Sequence, residues 1–193
     1  MFRLQLPTDP RWANIAEGNL EEILTDHAWC EQKAASNAIT LITMIPEEEE
    51  IVTELLEIAQ EEMEHFQQVH EIIKKRGYSL GQPRKDDYVN DLMKFIPSGL
   101  SRTEYIVERM LFAAMIEARS CERFKVLTEN IEDQELATFY RELMISEASH
   151  YTAFIGYARQ LMDVEKVNAR WEEWLKYEAK VIASYGKEER IHG

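Results

Sequence analysis

Apolar side chains recur at alternating steps of three and four along most of the chain, the spacing that lines one face of an α-helix. Ile51, Leu55, Ile58, Val69 and Ile72 mark one such seam; Leu136, Tyr140, Leu143, Phe154, Tyr157 and Leu161 mark another. Leu20, Leu24, Ala34, Ala38 and Leu41 form a third, and Ile106, Met110, Ala113, Ser120, Phe124 and Leu127 a fourth. Helix breakers are few, 7 Gly and 5 Pro, and most stand where helices should stop. The pattern predicts a first long helix over Asn19–Ile45 ended by Pro46, and a second over Glu47–Arg76 ended by Gly77. The acidic run Glu47–Glu50 suits the positive end of the second helix's dipole. A third helix is predicted over Thr103–Glu129, with Ser101 and Glu104 at capping-box spacing, and a fourth over Asp133–Met162. Between the second and third lies Gly77–Gly99, long enough to run from one end of a bundle to the other and to hold a short helix over Asp86–Phe95. An amphipathic helix over Val164–Ser184, carrying Trp171, Trp174 and Val181, is expected to pack outside the four, and the tail Gly186–Gly193 to fray. The expected fold is therefore all-α: one domain over residues 1–193, a four-helix bundle with a long crossover and an additional C-terminal helix.

Each seam is interrupted near its middle by an acid. Glu31, Glu62, Glu117 and Glu147 stand where a leucine would be expected, and His65 and His150 follow the second and fourth at a spacing of three. Glu31 lies 31 residues before Glu62 and Glu117 lies 30 before Glu147, so the chain reads as a doubled unit of Glu followed by Glu-x-x-His. A lone Glu-x-x-His on an acidic helix is ordinarily an exposed pair; the doubling, with every member on a seam, is what points to a ligand set. Glu61, Glu64, Glu108 and Glu122 fall off the seams and are expected to face solvent or to lie behind the ligands. Four ionised carboxylates in one apolar interior cost several kcal/mol each unless something positive joins them. Two divalent ions supply four charges against four carboxylates, and the histidines give each ion one nitrogen. Carboxylate oxygen with a single imidazole per ion suits iron or manganese better than zinc or copper. These are the ligands of a carboxylate-bridged two-metal site in a ferritin-like four-helix bundle.

Charge and cysteine content narrow the classes that remain. With 36 Asp plus Glu against 22 Lys plus Arg, the net charge of −14 excludes a non-specific nucleic-acid coat, so a polyanionic partner needs a local basic patch. Lys74, Lys75, Arg76, Arg84 and Lys85 form the candidate patch, with a dipole cap followed by a solvated loop as the other reading of the same residues. Cys30 and Cys121 form no Cys-x-x-Cys pair, which leaves no disulfide framework and no rubredoxin-type iron site; buried thiols are the default. The N-terminus lacks the apolar run of a signal peptide, and no segment approaches the ~20 apolar residues of a membrane span, so a soluble cytoplasmic protein is expected. His27 lies on the first seam one turn before Glu31, but its counterpart in the other half is Ala113; a place behind the ligands or in a cavity wall is expected for it. His70 and His192 are expected at the surface, and Tyr140 and Tyr151 in aromatic packing. The ligand set alone leaves several chemistries open, among them C–H hydroxylation, iron oxidation and peroxide handling.

Four segments carry a resemblance. His27-Ala-Trp-Cys-Glu-Gln-Lys-Ala-Ala-Ser36, Glu61-Glu-Met-Glu-His-Phe66, Ile116-Glu-Ala-Arg-Ser-Cys-Glu-Arg-Phe124 and Ser146-Glu-Ala-Ser-His-Tyr151 resemble, in this order, those of the tRNA 2-methylthio-N6-isopentenyladenosine hydroxylases, the MiaE family. The resemblance implies iron-ligand roles for Glu31, Glu62, His65, Glu117, Glu147 and His150, two iron ions as cofactor, and dioxygen as co-substrate. It further implies hydroxylation of the isopentenyl side chain of a hypermodified adenosine beside the anticodon of tRNA, with electrons from an external donor that docks as a partner. A ferritin-like metal- or peroxide-handling protein without a tRNA substrate is the alternative.

Overall fold

The computed structural model describes residues 2–185, and every regular element among them is a helix. In chain order these are α1 (Trp12–Gly18), α2 (Leu20–Met44), α3 (Glu49–Lys75), α4 (Asp87–Met93), α5 (Arg102–Asn130), α6 (Gln134–Leu161) and α7 (Val164–Ser184). The six predicted helices are α2 to α7, each within two or three residues of its expected limits. The short helix α1 is an addition. His192 and the tail expected to fray lie outside the described residues.

The described chain gathers into two compact units, Gly18–Lys85 and residues 2–17 with 86–185. In the first, α2 and α3 pack as a helical hairpin joined at Ile45–Glu48. Gly77, at φ 74°, closes α3: its N–H donates to Lys74 O and the Tyr78 N–H donates to Ile73 O, the paired bonds of a Schellman motif. The chain then turns back over α2. Ser79 N donates to Glu21 Oε1 at 3.2 Å, and the Trp29 indole N–H donates to Gly81 O at 2.9 Å. A Cβ on Gly81 would come within 3.1 Å of Thr25 Cγ2, so a residue without one lets the backbone lie against α2.

In the second unit α5 and α6 form the corresponding hairpin, and α4 and α7 pack on it. The capping box at the start of α5 forms as predicted, with Ser101 Oγ accepting from Glu104 N and Glu104 Oε2 accepting from Ser101 N. α5 differs from an ordinary amphipathic helix: from Ile106 to Leu127 it is buried on nearly every side. Arg119, with no exposed surface, donates to Glu178 Oε1 on α7 at 2.6 and 2.8 Å, to Glu122 Oε2 at 2.9 Å and to Leu6 O at 3.1 Å. Thr8 adds two bonds to Glu122, and the Tyr88 hydroxyl of α4 bonds Glu178 Oε1 at 3.2 Å. This network corrects the expectation for Glu108 and Glu122, which neither face solvent nor stand behind ligands. Glu122 joins Arg119 and Thr8, while Glu108 accepts from Arg170 at 2.6 Å and from the Trp174 indole at 3.1 Å. Both acids lie off the seam because a second layer, α7 and the N-terminal segment, covers that side of α5.

Candidate metal centre

The four seams bury their candidate ligands as their spacing requires. On the α2/α3 pair, Glu31, Glu62 and His65 are buried, and one ligand atom of each lies within 4.8 Å of the others. His65 Nδ1 stands 3.5 Å from Glu31 Oε2 and 3.6 Å from Glu62 Oε2. Glu62 and His65 share a face because three residues nearly complete a helical turn. Glu61 and Glu64, each one residue before a member of the pair, are exposed, as expected. The seam holds along α3 except at its last turn, where Ile73 is buried in place of Ile72.

The α5/α6 pair repeats the arrangement. Glu117, Glu147 and His150 are buried, again with one ligand atom from each within 4.8 Å of the others. Apolar and aromatic residues close the surroundings: Phe124 and Tyr140 meet at 5.3 Å on one side of the ligands along the seam, and Phe154 meets Tyr157 at 6.1 Å on the other. Tyr140 is fully buried in this packing, while Tyr151 is half-buried between Phe2 and Trp171.

Within each pair, buried carboxylates face one another and an imidazole, an arrangement that only positive charge can balance. Burial pushes the Glu31 carboxyl up, but the charge of His27 and hydrogen bonds from His27, His65 and Glu62 more than offset it, leaving it well below the usual carboxylate range. His27 is the residue with no counterpart across the repeat. Fully buried, it holds Nε2 2.6 Å from Glu31 Oε1, directly behind that ligand. Cys121 is not part of the donor set: its Sγ donates to Met144 O at 3.1 Å, and burial, then the charge of Glu147, pushes the thiol up to about 12. Such a group stays a thiol at neutral pH and does not compete with carboxylates for a metal. Cys30 is buried as well. The donors present, hard oxygens with one imidazole on each helix pair, fit iron or manganese.

The basic residues singled out in the sequence fall at one end of the α2/α3 unit. Lys74 and Lys75 are exposed in the last turn of α3, Arg76 caps it, and Lys85 is exposed on the crossover. Arg84 forms an ion pair with Glu22 in the first turn of α2. Trp29, Phe66 and His70, which charge and ligand patterns do not single out, form a ladder of partly exposed rings on the same unit. Trp29 lies 5.9 Å from Phe66, and Phe66 stacks on His70 at 6.4 Å. Their signal was the recurrence Phe66, His70, Lys74 at steps of four.

No described helix is long and apolar enough to cross a membrane. Residues 2–193 match the model of a family described as tRNA-(MS[2]IO[6]A)-hydroxylase (MiaE). The chain is 34% identical over 190 residues to a tRNA 2-(methylsulfanyl)-N(6)-isopentenyladenosine(37) hydroxylase of Pseudomonas putida, covering 98% of this chain and 91% of that protein. It is 27% identical over 238 residues to the protein of the same name from Salmonella typhimurium, covering 98% and 87%. Among solved structures it resembles a Synechococcus protein with aldehyde deformylating oxygenase activity, at a TM-score of 0.91 and 33% identity over 98% of this chain and 95% of that one. The fold is all-α and ferritin-like, and by the match across its length and its identity to these relatives the chain belongs to the MiaE family of tRNA hydroxylases.

Proposed function

We propose that this chain is a di-iron monooxygenase that hydroxylates the isopentenyl side chain of 2-methylthio-N6-isopentenyladenosine in tRNA, working in the cytoplasm as one domain over residues 1–193. In this reading Glu31, Glu62, His65, Glu117, Glu147 and His150 ligate the two irons. The observation that carries it is the burial of the same Glu and Glu-x-x-His set on both helix pairs of a chain that belongs to a hydroxylase family. Bound there, two iron ions supply redox chemistry capable of activating dioxygen against a C–H bond that no acid or base at neutral pH would open. The protein's own groups do the rest. The carboxylates offset the charge of the ions, His27 holds Glu31 in orientation, and the aromatic residues beside Glu117, Glu147 and His150 keep bulk water from the reacting atoms. An external donor supplies the electrons. Lys74, Lys75, Arg76, Arg84 and Lys85 are the proposed phosphate contacts, with Arg84 leaving Glu22 to make its contact.

The test loads the protein with iron, reduces it chemically, admits oxygen in the presence of tRNA bearing the prenylated, methylthiolated base, and analyses nucleosides by mass spectrometry. A product heavier by one oxygen atom is expected from the native chain and not from Glu147→Ala, whose iron content should fall well below two per chain. Full iron occupancy in Glu147→Ala would remove that ligand. Peroxide loss, iron mineralisation or turnover of aldehydes without a modified nucleoside would overturn the tRNA reading.

A further inference from the structure

The ligand seam uses one face of α3, and a second ladder runs beside it. Val52, Leu56, Met63, Phe66, His70 and Lys74 recur at helical spacing along the neighbouring flank, with Ala59 completing the steps of three and four. This flank is open: Leu56 is 48% exposed and Met63 45%, and Ile39 on α2 is 54% exposed. It carries no acid between Val52 and Lys74, whereas Glu54, Glu57, Glu61, Glu64 and Glu71 all fall on other faces of the same helix. In a chain of net charge −14 a continuous acid-free flank is a selective feature. Toward the C-terminal end of α3 the flank turns aromatic and then basic: the Trp29, Phe66 and His70 rings follow one another along it, and Lys74 comes one turn later.

We infer that this flank of the α2/α3 pair is the stacking platform for unpaired nucleobases of an RNA loop, with Trp29, Phe66 and His70 under the bases and Lys74 on the phosphates beyond them. The inference rests on the proposed tRNA reading and adds base stacking to its phosphate contacts. Flat rings in series with a cation one turn on match single-stranded RNA, in which every base offers a π-face and every linkage a negative charge. Duplex RNA, with its bases already stacked, gains only the charge. Trp29 is fixed in place beforehand, because its indole N–H is tied to Gly81 O and the ring is oriented before a base arrives. The platform adjoins the candidate metal centre through α3, since Phe66 lies one turn beyond Glu62 and the two are neighbours on that helix. A loop lying along the rings has its displaced base beside the ligands, where the reacting side chain must go.

The experiment measures binding of a fluorescent anticodon stem-loop RNA by anisotropy, against a blunt duplex of equal phosphate count, for native protein and for Trp29→Leu, Phe66→Leu, His70→Ala and Lys74→Gln. The leucine changes keep apolar volume and remove the flat ring; helicity and iron content report whether each variant is folded. His70→Ala and Lys74→Gln, at partly or fully exposed positions, keep the test decisive if a ring variant fails to fold. Each ring variant is expected to weaken loop binding about five- to a hundred-fold with little change on the duplex. Lys74→Gln should weaken both and lower the salt slope by about one. If native protein yields the hydroxylated nucleoside while the folded variants bind the loop unchanged, the platform is wrong and the function stands. If the variants keep RNA affinity but lose reduction by an electron-transfer protein, the flank serves a protein partner instead. If native protein neither binds the loop nor modifies it, both readings fall together.

Discussion

The α2/α3 and α5/α6 pairs carry the same three candidate ligands at nearly the same spacing and support them in opposite ways. Behind Glu31 stands His27; at the corresponding position before Glu117 stands Ala113. Two residues after Glu31 is Lys33, half-buried; two residues after Glu117 is Arg119, wholly buried and bonded to Glu178, Glu122 and Leu6. α5 is enclosed by its neighbours, whereas α3 leaves an apolar flank in solvent. Equal candidate ligands on unequal supports teach that the repeat keeps the donor set and lets what surrounds it diverge. One pair is braced by buried ion pairs and the other keeps an apolar face open.

Removing the network that braces α5 should produce the largest effect. Arg119→Ala leaves Glu178 and Glu122 buried without their cation, a loss of about 3–5 kcal/mol for a broken buried pair. Lys33→Ala, the same position in the other pair, is half-buried and should cost less, on the order of 1 kcal/mol, as typical single changes do. Urea unfolding of the two variants checks the contrast. The double change Arg119→Met with Glu178→Leu should recover part of the loss, because it leaves one buried acid, Glu122, without its cation instead of two. Equal destabilisation by Arg119→Ala and Lys33→Ala would mean that the two pairs are supported alike.

His27 offers the next test, because it has no counterpart across the repeat. A group behind a ligand typically tunes metal affinity about 10- to 100-fold. His27→Ala should therefore weaken one of two ions by that factor and leave the other nearly unchanged, giving an iron titration that splits into two steps. His27→Gln, which still offers a donor to Glu31, should narrow the gap. Two ions weakened equally, or neither, would show that the asymmetry at Glu31 does not reach the metals.

How much of this was legible in the sequence follows from the range of the interactions. The burial of the candidate ligands, the seams, the capping box and the Gly77 stop are set by residues a turn or two apart, and spacing was enough to place them. Arg119 is different: its partner Glu178 lies 59 residues away, so periodicity recorded only a cation beside a ligand. Glu108 and Glu122 were misplaced for the same reason, their partners Arg170 and Thr8 being distant in the chain. α1 spans 7 residues, too few to show a period. Ile73 replaced Ile72 because a straight helix of 3.6 residues per turn drifts off a seam of period 3.5, until the step of four from Val69 points inward. His27, by contrast, was marked by its break in the doubled pattern, and the structure places it where that break suggested, against Glu31.

The smallest effect on stability should come from placing an acid on the open flank. Met63 on α3 and Ile145 on α6 are both exposed apolar residues, at 45% and 66%. Changing either to Glu removes little buried surface and should shift stability by no more than about 0.5 kcal/mol. Their consequences for RNA should differ. Met63→Glu sets a negative charge on the acid-free flank within a screening length of bound phosphates, a repulsion on the order of 1 kcal/mol, or several-fold in affinity. Ile145→Glu adds the same charge to the other pair and should leave affinity near the native value. Because both variants carry one added negative charge, a change in net charge cannot produce the difference; only position can. Raising the salt concentration should bring Met63→Glu back toward the native curve, since the repulsion is screened while ring stacking is not. Equal weakening by the two would assign RNA binding to the overall charge of the molecule and remove the flank of α3 from it.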